Sequence, residues 1–246
     1  MRTLREWNAM TPDEQEAEWD AMTDQERAEE RYSPRGEAAK LRAWRKSPEG
    51  QARIKGDWLQ DAGKMEIPRI FINPCFPSES EAQKLVRAYM EADYGRGSCL
   101  VLAGSVGCGK TAAAVGALWA DFQKRYEPLG RNDSRRFWHT RELEKTLLSP
   151  VKFGEDSKKA LNQVTTRNLI VLDDLGTEVG REGFEADLDF IIGRREANRC
   201  PTIITTNLSW ENLKSRYSAR IIDRLRGWGR IHEIRGRSLR QYEGSA

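Results

Sequence analysis

A run of eight residues near the middle of the chain combines three glycines with a lysine and a threonine. It reads Gly104, Ser105, Val106, Gly107, Cys108, Gly109, Lys110, Thr111 and fits the spacing G-x-x-x-x-G-K-[ST]. Glycines in such a run allow the backbone N–H groups to point at phosphate oxygens. The lysine of the motif reaches the β- and γ-phosphates, and the threonine hydroxyl binds Mg²⁺. The run therefore predicts a site for ATP and Mg²⁺ formed by all eight residues.

The residues on either side of this run supply the structure that the motif requires. Residues 99–103 are apolar and read as a buried strand, and residues 112–119 read as a helix. A helix that begins directly after the glycines adds the positive end of its dipole to the anion site. This context favours a phosphate-binding loop over the alternative, a glycine-rich turn that binds nothing.

Two adjacent carboxylates follow another apolar run, residues 169–172. Ligands of a parallel sheet gather at the carboxyl ends of its strands, so both side chains are expected near the phosphate loop. Asp173 is predicted to take part in Mg²⁺ binding, and Asp174 to orient and polarise the attacking water. Glu178 lies just beyond and could share the second role. The alternative is a strand that ends in an acidic turn.

Two further polar groups are candidates for the same site. Asn207 follows the apolar strand 202–205 and could hold the hydrolytic water, although an asparagine in a turn is the plainer interpretation. Arg220 and Arg224 lie four residues apart and therefore share one helix face. We expect Arg220 to act on the γ-phosphate of a neighbouring subunit and Arg224 to contact nucleotide. A solvated basic helix, or a salt bridge to Asp223, is the alternative.

Alternating strands and helices across residues 67–246 predict a parallel sheet with helices on both faces. One strand lies between the phosphate loop and the acidic strand, which indicates the additional-strand branch of P-loop ATPases. The predicted fold is α/β, a three-layer P-loop NTPase with a parallel five-stranded sheet. Its predicted strands are 99–103, 136–140, 169–172, 202–205 and 231–234.

Residues 1–66 are predicted to form a small helical region that precedes the ATPase domain and binds a partner. The segment 6–11 recurs as 18–23, and Thr11 to Glu14 and Thr23 to Glu26 both read as capping boxes. The apolar faces of these short helices would be Trp7, Met10, Trp19 and Met22. A basic linker punctuated by Ser33-Pro34 and Ser47-Pro48 follows, and it could contact nucleic acid or form a solvated helix.

The distribution of charge and cysteine narrows the class of protein. Residues 1–30 hold three basic and ten acidic residues, whereas residues 194–240 hold twelve basic and four acidic ones. The basic region indicates phosphates or nucleic acid, and the acidic start indicates a protein partner. A solvated face is the alternative interpretation for both regions. The four cysteines form no C-x-x-C pair, and no apolar run is long enough to cross a membrane. We therefore expect a cytoplasmic protein with reduced cysteines, no zinc site and no association with a membrane.

Taken together, these motifs resemble the AAA+ helicase loaders of the DnaC/DnaI type, and they are closely similar to IstB-type transposition ATPases. The matching stretches are 67–69, 104–111, 172–176, 205–208, 220–225 and 236–240. The resemblance implies an oligomeric ATPase that binds single-stranded DNA and delivers a hexameric, DnaB-type replicative helicase. It further implies that Arg220 is an arginine finger, that Asn207 is the first sensor, and that the N-terminal region contacts the helicase.

Three functional hypotheses stay open at this point. The first is an ATP-switched loader for DNA replication, with the DNA path lined by inserted helices that carry Lys145, Lys152, Lys158 and Lys159. The second is an IstB-like transposition helper that binds duplex DNA. The third is a small-molecule P-loop kinase, which would turn over ATP without a second subunit.

Overall fold

The computed structural model describes residues 10–29, 34–72, 79–126, 134–148, 155–180, 183–235 and 238–239. The chain forms two compact units, Met1–Asp57 and Trp58–Ala246. The domain boundary predicted from the sequence, between residues 66 and 67, lies nine residues after the division between these two units. The extent of a partner-binding region stays a prediction. Several residues of the sequence analysis lie outside the described part: Trp7, Ser33, Lys152, Gly236, Arg237 and Arg240.

The first unit consists of short helices. Its elements are α1 (Pro12–Asp20), α2 (Asp24–Glu29), α3 (Pro34–Lys46) and the beginning of α4 (Pro48–Lys64). Both predicted capping boxes are formed, because Thr11 and Thr23 each accept from the backbone N–H three residues later. The glutamates at those later positions accept in return from the N–H groups of the two threonines. The predicted basic linker is helical.

Charge complementarity joins α1 to α3 inside this unit. Arg42 Nη1 donates to Gln15 Oε1 at 3.0 Å, and Lys46 forms an ion pair with Glu16. Such short helices need packing partners because nucleation of a single helical turn is unfavourable. The side chain of Trp19 is half-buried.

The second unit is built on a five-stranded sheet with the order β2-β3-β4-β1-β5. Every strand pair is parallel. The strands are β1 (Cys99–Gly104), β2 (Arg135–His139), β3 (Leu169–Leu175), β4 (Thr202–Thr206) and β5 (Gly229–Ile234). The predicted α/β fold, a three-layer P-loop NTPase with a parallel five-stranded sheet, is therefore confirmed.

Helices connect these strands and cover both faces of the sheet. They are α5 (Arg69–Ile72), α6 (Glu81–Ala92), α7 (Lys110–Arg125), α8 (Thr140–Leu147), α9 (Glu155–Thr166), α10 (Phe184–Ala197), α11 (Trp210–Arg216) and α12 (Ala219–Trp228). A short 3₁₀ turn, Tyr94–Arg96, precedes β1. Among the described residues, none of the helices combines the length and the apolarity that a bilayer crossing requires.

Burial on both faces explains the apolar character of the central strands. Residues Leu169 to Leu172 of β3 are fully buried, as are Leu100 and Leu102 of β1. One face of the sheet packs with α8, α9, α10 and α12 in a continuous apolar core. A continuous apolar run is the expected sequence of a strand that meets helices on either side.

Candidate functional site

The loop between β1 and α7 has a backbone conformation that requires glycine. Gly107 and Gly109 have φ angles of 88° and 87°, in the left-handed region where a side chain would be strained. A Cβ added at Gly107 would also lie 2.2 Å from Ser238 Oγ. Because α7 begins at Lys110, its N-terminus opens directly onto the loop, as an anion site needs.

Lys110 occupies the centre of this loop with only 5% of its surface exposed. Its Nζ donates to the carbonyl oxygens of Gly104 and Ser105 at 2.9 and 2.8 Å. The same ammonium donates to Asn207 Oδ1 at 3.0 Å, and Asn207 Nδ2 donates to Asp174 Oδ1 at 3.0 Å. Lys110, Asn207 and Asp174 are thus linked side chain to side chain at the carboxyl edge of the sheet.

Asp173 is the buried carboxylate of the pair that ends β3. It is 4% exposed, and its Oδ1 accepts from Thr205 Oγ1 at 2.6 Å. Burial raises the pKa of Asp173, and hydrogen bonds from Thr205 and Thr111 act against that rise. The hydroxyl of Thr111 and the carboxylate of Asp173 are therefore close together, and both are oxygen ligands of the kind that Mg²⁺ prefers.

Asp174 sits in a strained backbone conformation with a φ of 55°. Its N–H donates to Thr205 Oγ1 at 2.9 Å, which fixes the left-handed turn at the end of the strand. Non-glycine residues with positive φ cluster at functional sites, where the surrounding structure imposes the strain. The turn presents this carboxylate, half-buried, to the same edge as Lys110.

His139 is a member of the site that sequence reasoning missed. It is the last residue of β2, in register with Asp173, and its Nε2 lies 3.6 Å from Asp174 Oδ2. Interaction with His139 lowers the pKa of Asp174, and the interaction with Asp174 raises the pKa of His139. One potential metal-ligating atom from each of His139, Asp173 and Asp174 lies within 4.8 Å of the other two. The feature of the sequence that could have identified this residue is its position near the end of the predicted strand 136–140.

These groups open into a cavity of about 550 Å³. Its lining residues are Glu66, Pro68, Ile70, Phe71, Val106, Gly107, Gly109, Lys110, Thr111, Ala112, Phe137, His139, Asp173, Asp174, Asn207 and Leu239. The lining combines polar and charged side chains with apolar ones such as Phe71 and Leu239. A cavity of this volume and mixed lining is typical of small-molecule sites and is large enough for a nucleotide.

Glu178, a candidate for the catalytic carboxylate, lies outside the described lining of the cavity. It is 5% exposed, and its Oε2 accepts from the N–H of Gly176 at 2.9 Å. Its Oε1 accepts from Arg216 Nε at 3.1 Å and from the hydroxyl of Tyr217. These contacts attach the loop after β3 to α11, so the geometry favours Asp174 for the catalytic role.

Glu178→Gln is therefore expected to lower the free energy of unfolding by about 1–3 kcal/mol, because an amide cannot accept all of these hydrogen bonds. Turnover of ATP by the folded variant should stay within about threefold of the parent, far less than loss of a general base costs. Urea unfolding and steady-state ATPase rates measure the two effects. Asp174→Asn is the matched comparison and should show the reverse pattern, and an equal loss of turnover in both variants would contradict this assignment.

Arg220 and Arg224 lie on α12 and pair with Asp189 of α10 rather than with Asp223. Arg220 Nε is 3.3 Å from Asp189 Oδ2, and 70% of the arginine side chain is exposed. Arg224 Nη1 is 2.6 Å from Asp189 Oδ1 and also donates to the Asp189 carbonyl, at 2.7 Å. Neither arginine is among the described residues that line the cavity. Arg220 is therefore presented to solvent, whereas Arg224 packs against its own subunit.

The chain resembles known proteins at the level of structure. No protein-family model and no curated protein matches the chain. A crystal structure of the DnaC helicase loader matches with a TM-score of 0.54 and 27% identity, over 65% of this chain and 94% of that one. A crystal structure of DnaI matches with a TM-score of 0.52 and 25% identity, over 69% and 89% of the two chains.

A third structure shares the fold at lower identity. The replication initiator DnaA bound to AMPPCP and single-stranded DNA matches with a TM-score of 0.54 and 19% identity, over 66% of this chain and 50% of that one. The DnaA structure shows a shared fold, and the likeness to the DnaC loader and to DnaI supports a DNA replication factor of the AAA+ type. The resemblance to AAA+ helicase loaders of the DnaC/DnaI type, predicted from the motifs, is confirmed at the level of structure.

Proposed function

We propose that this protein is an ATP-dependent DNA replication factor that binds single-stranded DNA and loads a DnaB-type replicative helicase. The observation that carries the proposal is the link from Lys110 through Asn207 to Asp174, on a fold shared with the DnaC loader. In this proposal Lys110 is the phosphate-binding cation, Asn207 is the polar sensor and Asp174 is the carboxylate base, and their hydrogen bonds to one another support a shared site. Helicase loading is the process that we propose ATP hydrolysis at this site to drive.

Each side chain of the site has a role in ATP hydrolysis. Lys110 would bind the β- and γ-phosphates, exchanging its hydrogen bonds to Gly104 and Ser105 for phosphate oxygens. Thr111 and Asp173 would hold Mg²⁺, which neutralises phosphate charge. Asp174 would orient the attacking water and accept its proton, and Asn207 would position that water against the γ-phosphate.

Completion of the site requires a neighbouring subunit. The described lining of the cavity contains Lys110 but no arginine, and charge that develops on the transferred phosphoryl group needs a further cation. Arg220 is exposed and is held only at the surface by Asp189. We infer that a second copy supplies Arg220 to the cavity, so that bound ATP stabilises the oligomer.

Contact with DNA is assigned to the helices inserted between β2 and β3. Charge reversal at Lys158 and Lys159, both exposed on α9, should weaken single-strand binding about tenfold and reduce the salt slope by about 1.4, because each of two phosphate contacts to a single strand contributes about 0.7. Fluorescence anisotropy of a labelled oligonucleotide, titrated with salt in the presence of ATP, measures both quantities. An unchanged slope would remove these lysines from the DNA path.

Helicase loading is tested by mixing the full chain with a hexameric replicative helicase, ATP and circular single-stranded DNA. We expect helicase to be retained on the circle in the presence of the chain and ATP, and lost with Trp19→Ala, which alters the N-terminal unit. Mass photometry and pull-down of the circle measure the retention. Turnover of ATP that produces a phosphorylated small molecule and recruits no helicase would favour a kinase and overturn the proposal.

A further inference from the structure

The edge of the sheet opposite the candidate site carries a row of arginines. Three adjacent strands, β4, β1 and β5, begin at Thr202, Cys99 and Gly229. Arg199, Arg96 and Arg226 each stand three positions before these first residues. Because the strands are parallel, all three arginines lie at the amino ends of neighbouring strands. A fourth, Arg230, is the second residue of β5 and pairs with Leu100 of β1.

The chain segments that carry these arginines touch one another directly. The carbonyl of Gly97 accepts from Trp228 Nε1 at 2.7 Å, which joins the turn before β1 to the end of α12. A Cβ added at Gly97 would lie 1.8 Å from the Arg199 carbonyl oxygen, so the turn before β4 packs against the same glycine. The arginines therefore belong to one continuous surface, which we call the arginine edge (Arg96, Arg199, Arg226 and Arg230).

Positive charge is in excess at the arginine edge. Arg230 Nε lies 2.7 Å and Arg96 Nη1 lies 4.0 Å from carboxylate oxygens of Asp93, with 61% and 77% of these arginine side chains exposed. One carboxylate therefore serves two arginines. Arg199 and Arg226 are also exposed, and no ion pair holds either of them within the residues that the structure describes.

Part of the arginine edge is strained, and hydrogen bonds from a buried arginine hold the chain segments beside it. Arg199 has a φ of 51°, a conformation that usually selects glycine or asparagine. Beneath it, the buried guanidinium of Arg195 donates to the carbonyls of Val164, Arg167 and Pro201 and to Thr202 Oγ1. These bonds fix the ends of the segments that enter β3 and β4. A non-glycine residue in this strained conformation, beside segments fixed by hydrogen bonds, makes the Arg199 side chain a candidate for a functional contact.

We propose that the arginine edge binds the phosphate backbone of duplex DNA. Neighbouring strands lie about 4.8 Å apart, so the arginines form a row of cations, and a DNA backbone offers a row of closely spaced anions. The aromatic side chains beside them, Trp228 and Tyr94, are 7% and 6% exposed and cannot act as stacking platforms for bases. Single-strand sites usually combine cations with such platforms, which favours the backbone of a duplex as the ligand.

This second DNA contact is separate from the proposed loading function. Strands of five or six residues, at about 3.3 Å per residue, put the arginine edge roughly 15–20 Å from the carboxyl edge where the nucleotide would bind. Duplex binding there is expected without nucleotide and without helicase. On a forked substrate, it would hold the duplex while the inserted helices take the single strand.

The test is the affinity of the full chain for a short labelled DNA duplex, measured by fluorescence anisotropy without nucleotide. The double variant Arg199→Glu, Arg226→Glu should bind at least about tenfold more weakly, with a salt slope reduced by about 1.8. Lys55→Glu with Lys84→Glu makes the same change of charge at exposed positions elsewhere and should alter binding less than about threefold. Circular dichroism and the basal ATPase rate check that the variants are folded.

Several outcomes decide the proposal. Arg199→Lys, Arg226→Lys should restore duplex binding, since phosphate attraction needs the charge. Equal weakening by both pairs of glutamate substitutions would show a general charge effect and overturn the proposal, as would no duplex binding by the parent chain. If the Arg199→Glu, Arg226→Glu variant lost binding to anionic phospholipid vesicles but kept the parental affinity for the duplex, the arginine edge would be assigned to a lipid surface instead. Failure of helicase loading leaves these binding results unaffected, so the two proposals fail separately.

Discussion

Replacement of Lys110 by alanine is expected to lower ATP turnover by about a thousandfold, the range associated with loss of a main electrostatic contact to the reacting phosphates. The structure shows why no neighbour can substitute. Lys110 is the only lysine or arginine in the described lining of the cavity, and its ammonium is already directed into the loop by Gly104 and Ser105. Nucleotide affinity should fall together with turnover, because the role proposed for Lys110 is to contact phosphates both before and during the reaction.

The measurement pairs steady-state ATPase rates with calorimetric titration of a non-hydrolysable ATP analogue. Lys124→Ala is the matched control, since that lysine is exposed on the same helix, α7, and should change neither quantity. Lys110→Met preserves most of the side-chain volume and separates loss of charge from loss of packing. Turnover within tenfold of the parent in the Lys110 variants would show that the phosphate site lies elsewhere.

The parts of this site that the sequence predicted are those specified by short-range spacing. Gly107, Gly109, Lys110 and Thr111 are fixed by one contiguous motif, and Asp173 follows an uninterrupted apolar run. The parallel sheet then brings the two stretches to one edge without further information, because ligands collect at the carboxyl ends of the strands. Local pattern and topology together were therefore enough to place the phosphate loop and the acidic strand.

Contacts between strands and helices that are distant in sequence were not predictable in this way. His139 reaches Asp174 only because β2 pairs with β3, and Thr205 binds both Asp173 and Asp174 only because β4 pairs with β3. Neither pairing can be deduced from the local sequence, which shows only a polar residue near the end of a strand. The supporting hydrogen bonds of a site depend on register, which a single sequence does not reveal.

The same limit explains Glu178 and the partner of Arg220. Glu178 looks like a second catalytic carboxylate by its distance along the chain, yet Arg216 and Tyr217 of a later segment take up its oxygens. The salt bridge considered from the sequence was with Asp223, a neighbour along the helix, whereas Asp189 on α10 forms it. Proximity in sequence is a poor guide where two helices pack side by side.

Arg220→Ala is expected to lower turnover by about a thousandfold or more while leaving nucleotide affinity almost unchanged, as for arginine fingers that act in the transition state. The arginine is exposed, so stability should be retained. Arg224→Ala is the contrasting variant on the same helix face. Arg224 donates to both the carboxylate and the carbonyl of Asp189, so its loss should lower the free energy of unfolding by about 1–3 kcal/mol.

Mixing two inactive variants separates a shared site from a self-contained one. In a head-to-tail oligomer, a Lys110→Ala subunit still offers Arg220 to a neighbour that keeps its own Lys110. With equal amounts of Lys110→Ala and Arg220→Ala subunits, about one interface in four joins both intact residues, so roughly a quarter of parental turnover should return. A self-contained site predicts no recovery, because every subunit lacks one essential group.

Asp189→Asn is expected to weaken the ion pair that Arg220 forms within its own subunit. Arg220 would then be freer to enter the cavity of a neighbouring subunit, so ATP turnover should reach its maximum at a lower protein concentration.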